Sequence, residues 1–299
     1  MAMSCSCSCG PATLVFRLAP ALRVAYRSYA RRYARSLPLF LSIMNRFLSV
    51  KEFVLVLSLL LPCAVSSGGA DDELIKQGDV YDQKFQPAEA LKFYLPAEKL
   101  EPDNVNLLLR IARQYRHLMQ DATKVEEKLR LGGIAEGYAE RAVTLAPNKS
   151  EAYLSVAITH AKMVQLLGNK EKMESSRQIK TAVDKAIALD PKQDLAWYIL
   201  GSWHQRLAAI GSLKRAIAVV VYGGLPAATN EDAVKCFQKA IELNPDRLIQ
   251  YIELGRTYAQ MGQAELAREF INKGLAMPNV GKDDPETKQR GRETLAKLR

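Results

Sequence analysis

Residues 71–102, "DDELIKQGDVYDQKFQPAEALKFYLPAEKLEP", combine small residues, tyrosines and a final proline at fixed intervals. Small residues allow two antiparallel helices to approach closely, and aromatic rings fill the space beside such a contact. A proline ends the helical region, because its ring forbids a continuing helix. The positions concerned are Gly78, Tyr81, Ala90, Tyr94, Ala97 and Pro102. The stretch therefore predicts a helical hairpin that ends in a proline turn.

The closing proline turn returns four more times along the chain. The five copies are "KLEPDN" (99–104), "TLAPNK" (144–149), "ALDPKQ" (188–193), "ELNPDR" (242–247) and a looser "LAMPNV" (275–280). Such repetition is typical of solenoids, and the order of small, aromatic and proline positions is that of the tetratricopeptide repeat. We predict an all-α fold, an α-solenoid of five such hairpins. A polar helix after Pro285 suits a terminal cap.

The middle three hairpins are predicted to be elongated. The gaps between successive prolines are 45, 44 and 54 residues before the last gap of 33. Because the positions of both helices still match the repeat in each case, the extra residues belong between the paired helices. These extensions are residues 120–133, 165–178 and 207–232.

The first 70 residues differ from the rest in composition. They hold seven arginines and one lysine against one acid, a charge of +7, which leaves only +3 for residues 71–299. A net charge of +3 over residues 71–299 is only weak support for nucleic-acid binding, so we do not predict it. Four arginines at intervals of four, from Arg23 to Arg35, are typical of an organellar transit peptide. We therefore predict a targeting leader over 1–70 and a repeat domain over 71–299.

A second targeting signal lies inside this leader. Residues 53–65 form an apolar run that is too short to span a bilayer comfortably, and small residues follow it. Read from Met44, the segment would serve as a secretory signal by itself. The alternatives are a mitochondrial or other organellar address, export from the Met44 start, and a short membrane anchor at 53–65.

No catalytic, cofactor-binding or metal-binding residues are predicted. Three histidines are too few and too scattered for a cluster, and His160 and His204 occupy positions held by tyrosines in the outer repeats. Gly223 and Gly224 lack the lysine and serine of a phosphate loop, so a turn followed by an N-cap at Thr229 explains them better. The sequence predicts a protein that is not an enzyme.

The first helix of each hairpin is expected to line a concave groove. Mapping the repeat register there gives seven candidate partner-binding residues, Arg113, Arg116, His117, Lys162, Tyr198, Arg206 and Arg256. The first repeat alone contributes acids, namely Asp72, Asp79 and Asp82. Arginine pairs carboxylates with two hydrogen bonds, so this wall suits an extended acidic peptide. The alternative is that these are ordinary solvated side chains of a mildly basic protein.

Some features of residues 188–246 are more specific than the repeat itself. They are a Leu-Gly-x-Trp core at 200–203, a basic-apolar extension, a Gly-x-Pro turn at 224–226, and Phe237 with Ala240. Together with the acidic "KDDPETKQ" near the end, they resemble the regulator of microtubule dynamics family over roughly 71–299. The resemblance implies a non-enzymatic protein at microtubules and spindle poles, with some members at mitochondria, and makes the acidic tails of tubulin a candidate ligand. The alternative is an organellar or exported scaffold for complex assembly or chaperoning, with no microtubule role.

Overall fold

Twelve α-helices follow one another in residues 69–222 and 224–298, the ranges that a computed structural model of the protein describes. The helices are α1 (Ala70–Gln83), α2 (Pro87–Leu100), α3 (Val105–Asp121), α4 (Val125–Leu145), α5 (Ser150–Met163), α6 (Asn169–Leu189), α7 (Asp194–Ala208), α8 (Ser212–Tyr222), α9 (Asn230–Leu243), α10 (Leu248–Gln260), α11 (Ala264–Ala276) and α12 (Asp284–Lys297). No strand occurs within these ranges, which confirms the all-α prediction. The leader predicted over 1–70, including Met44 and the 53–65 run, lies outside the described residues except for its last two.

The first hairpin packs as its sequence predicts. Tyr94, Ala90 and Ala97 of α2 are completely buried. A Cβ atom on Gly78 of α1 would overlap the Tyr94 ring, so only glycine permits this approach of the two helices. The Tyr94 hydroxyl donates a hydrogen bond to Asp79 Oδ1 at 2.6 Å. The small and aromatic positions of the repeat are therefore the contact between its two helices.

The recurring proline stretches are the turns between hairpins. Three of them share a backbone hydrogen bond that closes the turn, donated by Asn104 N to Glu101 O (3.1 Å), Lys149 N to Ala146 O (3.0 Å) and Gln193 N to Asp190 O (3.2 Å). The next helix begins immediately after the donor residue in each case. The repeated proline stretches therefore mark where one hairpin ends and the next begins.

The three extensions are accommodated in two ways. In the second and third hairpins they mostly lengthen the helices, so that α4 and α6 each have 21 residues. A short 3₁₀ helix, Val164–Leu166, follows α5. In the fourth hairpin the extension forms a separate helix, α8, between α7 and α9. Gly224 follows at a positive φ of 103°, which favours glycine.

Thr229 caps the helix that follows this turn. Its Oγ1 accepts a hydrogen bond from the Asp232 backbone N–H at 3.0 Å and donates to Asp232 Oδ2 at 2.8 Å. The bond satisfies one of the four backbone donors that a helix start leaves without a partner. The predicted N-cap is confirmed.

Replacing Thr229 with alanine should lower the free energy of unfolding by about 1 kcal/mol, because the N-terminal donors of α9 lose their acceptor. Thr229→Ser keeps the hydroxyl and should retain most of the stability. Urea unfolding followed by circular dichroism measures both variants. Equal losses in the serine and alanine variants would contradict the capping role.

The first helices of successive hairpins form one wall of the domain. Helix α3 contacts α5, α5 contacts α7, and α7 contacts α10, whereas the second helices pack mainly against first helices. The first helices thus share one side of the stack, and we call this side the inner face. Helix α12 packs on α10 and α11 and closes the stack, as the predicted cap should.

Candidate partner-binding face

Arg113 lies on the inner face, but its charge is already paired. Its side chain is 47% exposed, and its guanidinium donates to the Asp82 carboxylate of α1. One helical turn earlier, Arg110 Nε donates to Asp79 Oδ1 at 2.8 Å. The acids of the first hairpin therefore neutralise two arginines of the second.

Arg116 is not a surface residue. It is only 7% exposed and lies between α3 and α5, where its Nη1 donates to Ser155 Oγ at 2.9 Å and to Thr159 Oγ1 at 3.3 Å. Burial, with some repulsion from Arg113, lowers its pKa to about 10, so the group is still charged at neutral pH. Arg116 thus contributes positive potential from beneath the inner face rather than an exposed contact.

His117 adds no charge at neutral pH. Burial is the main cause that lowers its pKa to about 4, and the nearby charge of Lys282 acts in the same direction. Its ring packs edge-on against Phe85 at a centroid distance of 6.2 Å. This candidate is therefore a neutral, partly buried side chain of the inner face.

Lys162 is held by an acid from the far end of the sequence. Its Nζ donates to Asp283 Oδ2 at 2.7 Å, and Gln120 Nε2 donates to Asp283 Oδ1. Burial lowers the pKa of Lys162, and attraction to Asp283 opposes this effect. The loop before α12 therefore crosses the inner face and contacts the second and third hairpins.

Arg206 is the most available cation of the candidate set. It is exposed, and its Nη1 makes only a 3.4 Å hydrogen bond to Ala161 O. No carboxylate pairs with it within the described ranges. Tyr198, on the same helix α7, lies with its ring 6.0 Å from that of Phe237, and burial followed by the charge of Glu253 raises its pKa to about 12. Arg206 is thus free to bind an incoming acid, whereas Tyr198 packs partly into the core.

Arg256 belongs to a cluster centred on a buried acid. Glu253 is 4% exposed, and both its carboxylate oxygens accept from Arg256 Nη1 at 2.8 and 2.6 Å. Arg290 of α12 joins the same carboxylate at 3.4 Å. Arg290 also pairs with Glu286 at 3.0 Å, so the cluster of two arginines and two glutamates is neutral and ties the closing helix to α10.

The structure brings four of the seven predicted residues close together, and it adds acids and bases that sequence mapping missed. Arg116, His117 and Lys162 lie together, and Arg206 reaches the end of α5 beside them. The missed residues are Gln120, Lys282, Asp283, Glu253 and Arg290. The acidic residues after Met277 were visible in the sequence. Nothing in the repeat spacing indicated that they would contact helices more than 120 residues earlier. The carboxylates of Asp82, Asp283 and Glu253 each pair with a candidate cation and offset its charge.

The described part of the chain offers neither a metal cluster nor a membrane-spanning helix. Its histidines, cysteines and acids do not come together in a group of three that could hold a metal ion. None of the helices in that part is both long and apolar enough to cross a membrane.

Comparison with known proteins identifies relatives over the same region. The family described as regulator of microtubule dynamics protein 1-3 matches residues 72–299. Regulator of microtubule dynamics protein 1 of Mus musculus is 29% identical over 230 residues, which cover 76% of this chain and 74% of that protein. Regulator of microtubule dynamics protein 2 of Bos taurus is 23% identical over 230 residues, 76% of this chain and 56% of that protein. The chain thus spans little more than half the length of this second relative.

A solved structure supports the fold. The crystal structure of a thermophilic tetratricopeptide repeat protein from Thermus thermophilus superposes with a TM-score of 0.57 at 16% identity. The superposition covers 76% of this chain and all of that chain. The stacked hairpins are therefore a tetratricopeptide-like solenoid, a fold that supports protein binding. With the family matched over nearly all of the described residues, the chain belongs to the regulator of microtubule dynamics family.

Proposed function

We propose that this protein is a non-enzymatic scaffold that binds an acidic segment of a partner protein on its inner face. The observation that carries the proposal is Arg206, an exposed guanidinium on that face with only a carbonyl acceptor among the described residues. Arginine in this state forms strong, charge-assisted bonds with carboxylates. Arg113 and Arg256 are also partly exposed, but each is already paired with a carboxylate of this chain, so Arg206 is the main contact in this proposal.

The acidic tails of tubulin are the partner that we propose first. The relatives carry the name regulator of microtubule dynamics, and tubulin tails offer the run of carboxylates that this face suits. Binding of this kind depends on exposed charges, so it should weaken as salt shortens the Debye length. No cofactor and no nucleic acid form part of the proposal.

Arg206→Glu should weaken binding to microtubules by about tenfold or more, because a charge-assisted contact becomes a repulsive one. Co-sedimentation of the full chain with polymerised tubulin measures the effect. Arg177→Glu is the matched control, since it makes the same charge change at an exposed position of the second helix α6. Equal pelleting by wild type and both variants, or by none of them, would contradict binding through this face.

The leader predicted over 1–70 favours a second candidate function, that of an assembly or chaperone-type scaffold in an organelle or outside the cell. The arginine-rich stretch and the 53–65 run are the observations that favour it, and the family match that begins at residue 72 is compatible with a leader over 1–70. Fractionation of a tagged full chain with sequencing of its mature N-terminus tests this address. A chain that retains residues 1–70 in the cytosol or on spindle microtubules would favour the microtubule function.

A further inference from the structure

The loop between α11 and α12 occupies part of the inner face. Asp283 is its key residue, and each of its carboxylate oxygens is held by a different first helix. Oδ1 accepts from Gln120 of α3, and Oδ2 accepts from Lys162 of α5 at 2.7 Å. The two donors precede Asp283 by 163 and 121 residues in the sequence. A carboxylate is thus bound in a two-helix site, and this chain itself supplies it.

Lys282, the residue before Asp283, binds α3 through its positively charged ammonium group. Its Nζ donates to Asp121 Oδ2 at 2.6 Å and to His117 O at 3.4 Å, both on α3. Asp284 shapes the loop, since its Oδ2 accepts from the backbone N–H groups of Val280 (2.8 Å) and Gly281 (2.6 Å). The contacts of Lys282 and Asp284 therefore hold the loop in place on either side of Asp283.

The surroundings of Asp283 favour an anion. Arg116 lies buried beneath the site, and its guanidinium binds only the hydroxyls of Ser155 and Thr159 among the described side chains. Burial raises the pKa of Asp283, but the charge and hydrogen bond of Lys162, with the bond from Gln120, outweigh this effect and hold the pKa below its usual range. Emptying the site would remove the carboxylate that acts on the buried Arg116 and would leave Lys162 only the weaker attraction of Glu286.

The occupant of this site is nevertheless within reach of solvent. The Asp283 side chain is 38% exposed and that of Lys162 is 23% exposed. Ion pairs this accessible to water contribute little net stability, so releasing Asp283 from the site costs little free energy. A partner carboxylate can therefore take the place of Asp283 without a large penalty.

We propose that Gln120, Lys162 and the underlying Arg116 form a carboxylate-binding subsite, which Asp283 fills in the free protein and an Asp or Glu side chain of the acidic partner fills in the complex. The inference rests on the proposed function and specifies one of its contacts. Asp283 competes as a tethered ligand, and a tethered group acts at a high effective concentration. It therefore lowers the affinity for weak acidic ligands and selects segments that carry several acids.

The test uses a fluorescein-labelled polyglutamate peptide and fluorescence anisotropy with the full chain at low salt. Asp283→Ala should bind the peptide about fivefold more tightly than wild type, the gain expected from removing one competing exposed ion pair. Asp246→Ala is the matched control, because it removes the same charge from an exposed turn outside the inner face. Asp283→Asn, which keeps the shape of the side chain, should change the affinity in the same direction.

Adding Lys162→Gln to Asp283→Ala should abolish the gain, because the freed subsite loses its charged donor. An affinity of Asp283→Ala no higher than that of Asp246→Ala would overturn the subsite. If the peptide still bound wild type in an Arg206-dependent manner, the proposed function would survive that result. Absence of peptide binding in wild type and in every variant would overturn both. If Asp283→Ala were less stable than wild type but bound the peptide no more tightly, the contact would have only a structural role. That result would likewise overturn the subsite.

Discussion

Replacing Phe237 with alanine should lower the free energy of unfolding of the full chain by about 3–5 kcal/mol. The ring is completely buried and packs with Leu254, Tyr258 and Ala267, so it joins the fourth hairpin to the fifth. Gly201 makes room for it, since a Cβ there would lie 2.9 Å from Phe237 Cδ1. Truncation removes these contacts and leaves a cavity between two hairpins. Urea unfolding followed by circular dichroism measures the loss.

Leu100→Ala is the control for this prediction. Leu100 is also a large apolar side chain of a second helix, but it is 59% exposed. Its removal should change the free energy of unfolding by no more than about 0.5 kcal/mol. Similar losses in the two variants would mean that Phe237 does not connect the hairpins in the way its burial indicates.

Replacing Gly255 with leucine should lower the free energy of unfolding by about 3 kcal/mol. A Cβ at this position would lie 2.9 Å from Ala267 O and 2.9 Å from Ile271 N, which are backbone atoms of α11. Backbone cannot rotate away as a side chain can, so α10 and α11 must separate. The inner face should then lose its order around Glu253, because that residue lies on the same helix.

Gly137→Leu should change the free energy of unfolding in the opposite direction. A Cβ on Gly137 would have no atom within 4 Å, and the residue lies on the exposed side of α4. Leucine favours the helix over glycine by up to about 1 kcal/mol, so this variant should be as stable as wild type or more stable. Thermal and urea unfolding of both variants distinguish steric cost from helix propensity. A stabilised Gly255→Leu would contradict the close approach of α10 and α11.

The fold could be predicted because its determinants are local. Gly78 and Tyr94 lie sixteen residues apart in a single hairpin, and their contact follows from the hairpin alone. The separate helix α8 was harder to foresee, since an apolar extension of this length fits equally well as a lengthened helix. Thr229 was identifiable, because an N-cap requires only the four residues that form it.

The candidate site was predicted only in part. The repeat register placed the arginines on the first helices of the hairpins. It contains no information about how deeply each arginine is buried. Arg116 and Arg206 have the same charge, yet the first is enclosed between α3 and α5 and the second is open to solvent. Burial depends on how neighbouring hairpins approach one another, which is a property of the stack.

The sequence by itself determined the hairpins, their order and the positions of their turns, because each unit is built from contacts between residues close in the chain. Only the tertiary structure decided which charges remain available. Packing of the closing helix on α10 brings Arg290 to Glu253, and the loop before that helix brings Asp283 to Lys162, although the sequence separates this second pair by 121 residues. Coulomb energy depends on distance and burial rather than on sequence separation, so these pairs become defined only when the hairpins have stacked.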